Sequence, residues 1–228
     1  MISHEYQCIF VHIPKCAGTS IEYALGHFNS HQGRGGQDHR SIRMICQPRP
    51  GLSTLASKDN ALDFIRRVRE QYRTPANPGN AVLPSAREYE DYFKFTFVRH
   101  PLERALSWYK NALRDPIHQK NYGIDPTLNF DRFIRKFAGK GFLRPQTYWL
   151  KDYNGNIPMD FIGKFEQLAE DYKRVCVRIG VEGPELPHKI EAQKKQNDAP
   201  VEDKTIAFIS DYYAEDMETF GYTNGAGA

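Results

Sequence analysis

Lys15, Cys16, Ala17, Gly18, Thr19 and Ser20 follow the short apolar run Cys8-Ile9-Phe10-Val11, and together they have the chemistry of an anion site. The apolar run is β-rich, and Pro14 ends it by withdrawing a backbone donor. Gly18, Thr19 and Ser20 open a helix whose apolar positions Ile21, Ala24, Leu25 and Phe28 recur at helical spacing. The start of a helix offers N–H groups without intrahelical acceptors and the positive end of the macrodipole, so a phosphate is favoured there, and Lys15 adds a full charge. The competing account is a plain strand-to-helix turn capped by Thr19 or Ser20, with Lys15 in water. The order is not that of a Walker A loop, in which lysine follows the second glycine; here Lys15 precedes Gly18.

A second run, Phe93-Lys94-Phe95-Thr96-Phe97-Val98, alternates aromatic and polar residues as a strand does, and Pro101 suits the first turn of the helix after it. Leu102, Ala105, Leu106, Tyr109 and Leu113 share one face of that helix, which is expected to pack on the sheet. Arg99 then lies at the carboxyl end of the strand and Ser107 two turns into the helix. In a doubly wound α/β fold, ligands sit where carboxyl ends of strands meet helices, so Arg99 should face the same crevice as Lys15. Two phosphate-competent sites in one crevice imply a nucleotide phosphorylated at both ends.

The runs Ile13-Pro14-Lys15-Cys16-Ala17-Gly18-Thr19-Ser20 and Phe97-Val98-Arg99-His100-Pro101-Leu102-Glu103-Arg104-Ala105-Leu106-Ser107 resemble the two signature motifs of the carbohydrate sulfotransferases, the Golgi-type family that includes heparan and chondroitin sulfotransferases. Segments 141–150, 160–168 and 211–222 look like later landmarks of the same family, so the resemblance covers nearly the whole chain. It implies a P-loop-like α/β fold and the sulfate donor 3′-phosphoadenosine 5′-phosphosulfate (PAPS), with adenosine 3′,5′-bisphosphate (PAP) as product and no metal. Lys15, Gly18, Thr19 and Ser20, with the backbone of Cys16 and Ala17, would hold the 5′-phosphosulfate; Arg99 and Ser107 would hold the 3′-phosphate. Threonine is usual in the family at position 16, where this chain has Cys16. His39, in Asp38-His39-Arg40-Ser41, resembles the His-x-Ser segment of the heparan sulfate 2-O-sulfotransferase branch, whose histidine is the proposed general base. Lys15 would then neutralise the leaving group while His39 takes the proton of an acceptor hydroxyl, on a saccharide or glycoconjugate. Alternatively His39 caps a helix beginning near Ser41, and a carboxylate such as Glu88, Glu90 or Asp91 is the base, although these sit at the amino end of the second strand. The rival functions are a P-loop-type kinase or nucleotide hydrolase and a catalytically inactive nucleotide-binding module.

The elements that must position these residues fit one α/β domain over residues 1–228 with a single core, built on a central, mainly parallel sheet flanked by helices. Helices are expected over about residues 60–72, 128–137, 168–179 with Gly180 as the stop, and 203–220; residues 29–36 and 74–84 read as loops, and the end from about 223 as frayed. Lys189, Lys194 and Lys195 are either a solvated face or a cover for an anionic ligand. A net charge of +3 argues against nucleic acid as the main partner. No run of about 18 apolar residues is present and a strand begins within a few residues of the start, so no membrane span, a cytoplasmic location and free thiols at Cys8, Cys16, Cys46 and Cys176 are expected. Cys16, at a helix start beside Lys15, is expected to have a lowered thiol pKa, and a nucleophilic role for it stays open.

Overall fold

In the computed structural model, which describes residues 1–29, 35–47, 51, 57–75, 77–181 and 200–223, the run that reads as a strand is β2 (Cys8–Val11), buried at every position. It lies at the centre of a five-stranded sheet of order β3-β1-β2-β4-β5, with β1 (Ile2–Ser3), β3 (Asn80–Ala81), β4 (Phe93–Val98) and β5 (Phe161–Lys164). Three strands, β2, β4 and β5, run parallel, registered Cys8 to Phe93 and Val98 to Lys164. The two-residue strands β1 and β3 are antiparallel additions at one edge. Strands buried on both faces are apolar throughout, which is why β2 reads as one unbroken hydrophobic run.

Each parallel step requires a long crossover. The first, from β2 to β4, carries α1 (Gly18–Ala24), α2 (Ile42–Ile45), α3 (Lys58–Glu70) and α4 (Ala86–Asp91). The second, from β4 to β5, carries α5 (Pro101–Arg114), α6 (Pro116–Tyr122), α7 (Phe130–Phe137), a 3₁₀ turn at Gly141–Leu143 and α8 (Gln146–Leu150). After β5 come a 3₁₀ turn at Phe165–Gln167 and α9 (Leu168–Ile179), which Gly180 ends in the left-handed region as expected. The stretch expected as one carboxy-terminal helix is two, α10 (Asp203–Tyr212) and α11 (Ala214–Phe220), broken at Tyr213. Among the described residues, no helix is long and apolar enough to cross a membrane.

The interior departs from the single core expected. One apolar cluster covers the sheet, with Phe10, Phe95, Phe97 and Ile21 at its centre. A second, away from the sheet, joins Leu102, Ala105, Trp108 and Ala112 of α5 to Phe133 and Ile134 of α7 and Ile209 of α10. Among the described residues, the apolar stripe of α5 packs against other helices rather than joining the sheet cluster, which local periodicity has no means of distinguishing. Lys189, Lys194, Lys195 and most of the loop 29–36 lie outside the described residues, as does the tail beyond 223.

Candidate functional site

Because β2, β4 and β5 are parallel neighbours, their carboxyl ends open onto one edge, and the segments leaving them meet there. Lys15 follows β2, Arg99 follows β4 and Phe165 follows β5. The Arg99 guanidinium lies 4.0 Å over the Phe165 ring, 3.8 Å from Glu103, and donates to the Lys15 carbonyl at 3.5 Å. Lys15 Nζ donates to Asn111 Oδ1 at 3.2 Å. Glu103, Ser107 and Asn111 recur every four residues on α5, so the helix turns one face toward Arg99 and Lys15, with half-buried Ser107 between their two partners. The structure thus brings Lys15, Arg99 and the Ser107 face together.

The electrostatics of this edge favour an anion. Burial lowers the Lys15 ammonium from 10.5 to about 8, and Arg99 and Arg114 push it the same way. Burial also lowers Arg99, whose Nε is buried with no hydrogen-bond partner. Two partly desolvated cations side by side, one with an unpartnered Nε, fit a ligand bearing phosphate or sulfate.

The loop 12–17 that carries Lys15 is held from below. Lys15 and Ala17 both have positive φ, 70° and 66°. Ala17, in the left-handed region, is the N-cap of α1 and makes no side-chain cap, so the cap expected from Thr19 or Ser20 is absent: Thr19 is exposed and Ser20 half-buried. Gly18 is required for a reason the sequence does not state, since a Cβ there would stand 1.9 Å from His12 Cδ2. His12 is buried, with Nδ1 3.1 Å from Glu22 Oε2 in an ion-pair contact whose angle falls outside that of a hydrogen bond. Burial would raise the Glu22 carboxyl, but His12 and the N-terminal ammonium together hold the group low. Arg104, fully buried, donates from Nε to the Pro14 carbonyl (3.1 Å), from Nη1 to that of Arg144 (3.0 Å) and from Nη2 to that of Phe142 (2.5 Å). Gln146 receives the Arg99 N–H at 2.8 Å and returns a bond to the Arg99 carbonyl, while Cys16 Sγ donates to its Oε1 at 3.4 Å. Gln146 and Asn111 lie outside both signature runs, and Arg104, inside the second, supports the loop from its buried position on α5.

Cys16 corrects an expectation. Rather than a lowered thiol pKa, burial pushes it up to about 12, because desolvation outweighs the nearby Arg104 and Arg99. It is a packed thiol, unsuited to nucleophilic attack. Cys8, Cys46 and Cys176 are likewise free and buried.

His39 packs against the start of the loop 12–17. Its Nδ1 is 3.4 Å from the His12 carbonyl, and its ring lies 4.2 Å from that of His12 and 5.0 Å from that of Phe142. A carbonyl only accepts, so this contact assigns the proton to Nδ1 and leaves a lone pair on Nε2. Burial, reinforced by His12, lowers the imidazole to about 3, so it is neutral at pH 7. It does not cap α2; Ser41 is the N-cap, and its hydroxyl donates to Asp63 at 2.7 Å. Glu88, Glu90 and Asp91 sit on α4, before the amino end of β4 and away from this edge.

A model described as the sulfotransferase family matches residues 1–223. Carbohydrate sulfotransferase 14 of Homo sapiens is 30% identical over 195 residues, 77% of this chain and 45% of that protein. The protein of the same name from Danio rerio is 30% identical over 111 residues, 39% of this chain and 30% of that one; the Mus musculus protein is 25% identical over 199 residues, 77% and 45%. The chain therefore spans less than half the length of these relatives. The crystal structure of a sulfotransferase from Alicyclobacillus acidocaldarius aligns over 94% of this chain and 95% of that one, with 16% identity and a TM-score of 0.40.

Proposed function

The chain belongs to the sulfotransferase family, and from that premise we propose that it moves a sulfuryl group from PAPS to a hydroxyl of a carbohydrate acceptor. The observation that carries the reading is the meeting of Lys15 and Arg99 at the carboxyl edge of parallel strands, where burial lowers both cations and no carboxylate contact to Lys15 is present among the described residues. In this reading the loop from Lys15 to Ser20 holds the 5′-phosphosulfate, and Arg99 with Ser107 holds the 3′-phosphate.

The chemistry follows from the groups available. The acceptor oxygen attacks sulfur as the bond from sulfur to the bridging phosphate oxygen breaks, and that oxygen departs with PAP. Lys15 offsets the charge that grows on it. The acceptor proton passes to His39 Nε2, the ring nitrogen that the His12 carbonyl leaves unprotonated. As in phosphoryl transfer, positioning and electrostatics do most of the work. The carbohydrate acceptor is supported by the similarity to carbohydrate sulfotransferase 14 and is part of the proposal.

Isothermal titration separates this reading from a kinase or nucleotide hydrolase. PAP should bind without magnesium and more tightly than ATP with magnesium. Magnesium-dependent ATP binding with no PAP binding would reject it.

A further inference from the structure

From His39 a row of aromatic rings leads away from the anion site. From His39 the next ring is Phe142 at 5.0 Å, and from Phe142 the next is Tyr122 at 5.5 Å. Trp108, almost fully buried, backs both: its ring lies 4.7 Å from Phe142 and 5.6 Å from Tyr122, edge to face in each case. Phe142 is half-buried and Tyr122 is 40% exposed, so the row is buried on one side and open on the other.

Tyr122, the last residue of α6, packs its ring against Trp108, His118 and Phe142 and keeps 40% of its surface exposed at the end of the row. The row is also fixed relative to the anion site by two independent ties. Arg104 binds the Phe142 carbonyl and the Pro14 carbonyl with one guanidinium, joining the row to the loop that carries Lys15. On α5, Trp108 backs the row while Asn111, one turn on, holds Lys15 Nζ.

From these placements we propose that Phe142 and Tyr122 form the acceptor platform: the sugar ring bearing the reacting hydroxyl lies on Phe142 beside His39, and the next ring lies on Tyr122. A pyranose presents C–H groups on its flat faces, which the negative face of an aromatic ring attracts, while its hydroxyls stay at the rim for water or polar partners. The acceptor class is thus an oligosaccharide of at least two rings. This inference rests on the proposed function in taking His39 as the group beside the acceptor, but it concerns binding and is tested by binding.

The probes are desulfated chondroitin and desulfated heparin hexasaccharides, titrated by calorimetry and saturation-transfer NMR against wild type, Tyr122→Ala, Tyr122→Phe and Phe142→Leu, each with and without PAP. At least one hexasaccharide should bind the wild type. Tyr122→Ala should raise its Kd about tenfold, the scale of one lost aromatic contact, and Tyr122→Phe should restore it. Phe142→Leu keeps the apolar volume on Trp108 and should weaken binding similarly, with PAP affinity unchanged in all four proteins. The platform is overturned if neither hexasaccharide binds the wild type, or if Tyr122→Ala and Phe142→Leu both keep the wild-type Kd. A wild type that binds a hexasaccharide through Tyr122 but does not bind PAP would keep the platform and reject the sulfotransfer reading.

Discussion

Lys15 should make PAP binding depend on pH in a window set by its own titration. Its ammonium titrates at about 8 in the free protein, lowered first by burial and then by Arg99 and Arg114, against an ordinary 10.5. A bound anion favours the charged form, so the complex keeps the proton and binding above pH 8 must take one up. At pH 7 nearly all of the free protein carries the charge, and at pH 9 roughly a tenth does, so Kd should rise about tenfold between the two. The sign in the free protein is consistent: from about 8 toward 10.5 the unfolded chain holds a proton that the native state has released, so the cost of burying charged Lys15 is relieved and stability rises with pH across that window. The assay is calorimetry of PAP binding at pH 7, 8 and 9 in two buffers of different ionisation enthalpy, which also counts the protons taken up. Lys15→Gln should bind more weakly and show no dependence on pH in this range. A flat wild-type Kd, or an equal rise in Lys15→Gln, would refute the assignment.

Three further perturbations probe the support of the loop. Gly18→Ala places a methyl into the His12 ring and should cost about 1–3 kcal/mol as overpacking, read from denaturant unfolding, with an unchanged midpoint refuting the contact. Arg104→Met strands three carbonyls and should cost about 3 kcal/mol or more, and Arg104→Lys should recover only part of it because an ammonium cannot span all three. Cys16, with its thiol pushed up to about 12, should resist iodoacetamide at pH 8 in the folded protein and react on unfolding; rapid native labelling would contradict its burial.

What the sequence reveals depends on how local the cause is. The strand β2, the strand β4 and the stop at Gly180 rest on neighbouring residues, and the expected boundaries agree with the structure. The approach of Arg99 to Lys15 follows from one rule about parallel strands. Strands β1 and β3, two residues each, are too short to display alternation. Arg104, Gln146 and Asn111 act on residues 38 to 130 positions away, so no spacing announces these contacts. For Cys16, helix position and a neighbouring charge point one way, while burial, which only the tertiary structure reveals, decides the other. Gly18 looks like a loop glycine chosen for backbone freedom, yet the buried His12 ring is what excludes a side chain.

The most direct test follows labelled sulfate from PAPS to desulfated chondroitin and desulfated heparin oligosaccharides, comparing the wild type with His39→Ala. The account predicts transfer by the wild type, a loss of about 10²–10⁴ in kcat for His39→Ala, and the same PAP affinity in both. No transfer by a wild type that binds PAP would mark an inactive binding module, and undiminished transfer by His39→Ala would remove His39 as the base.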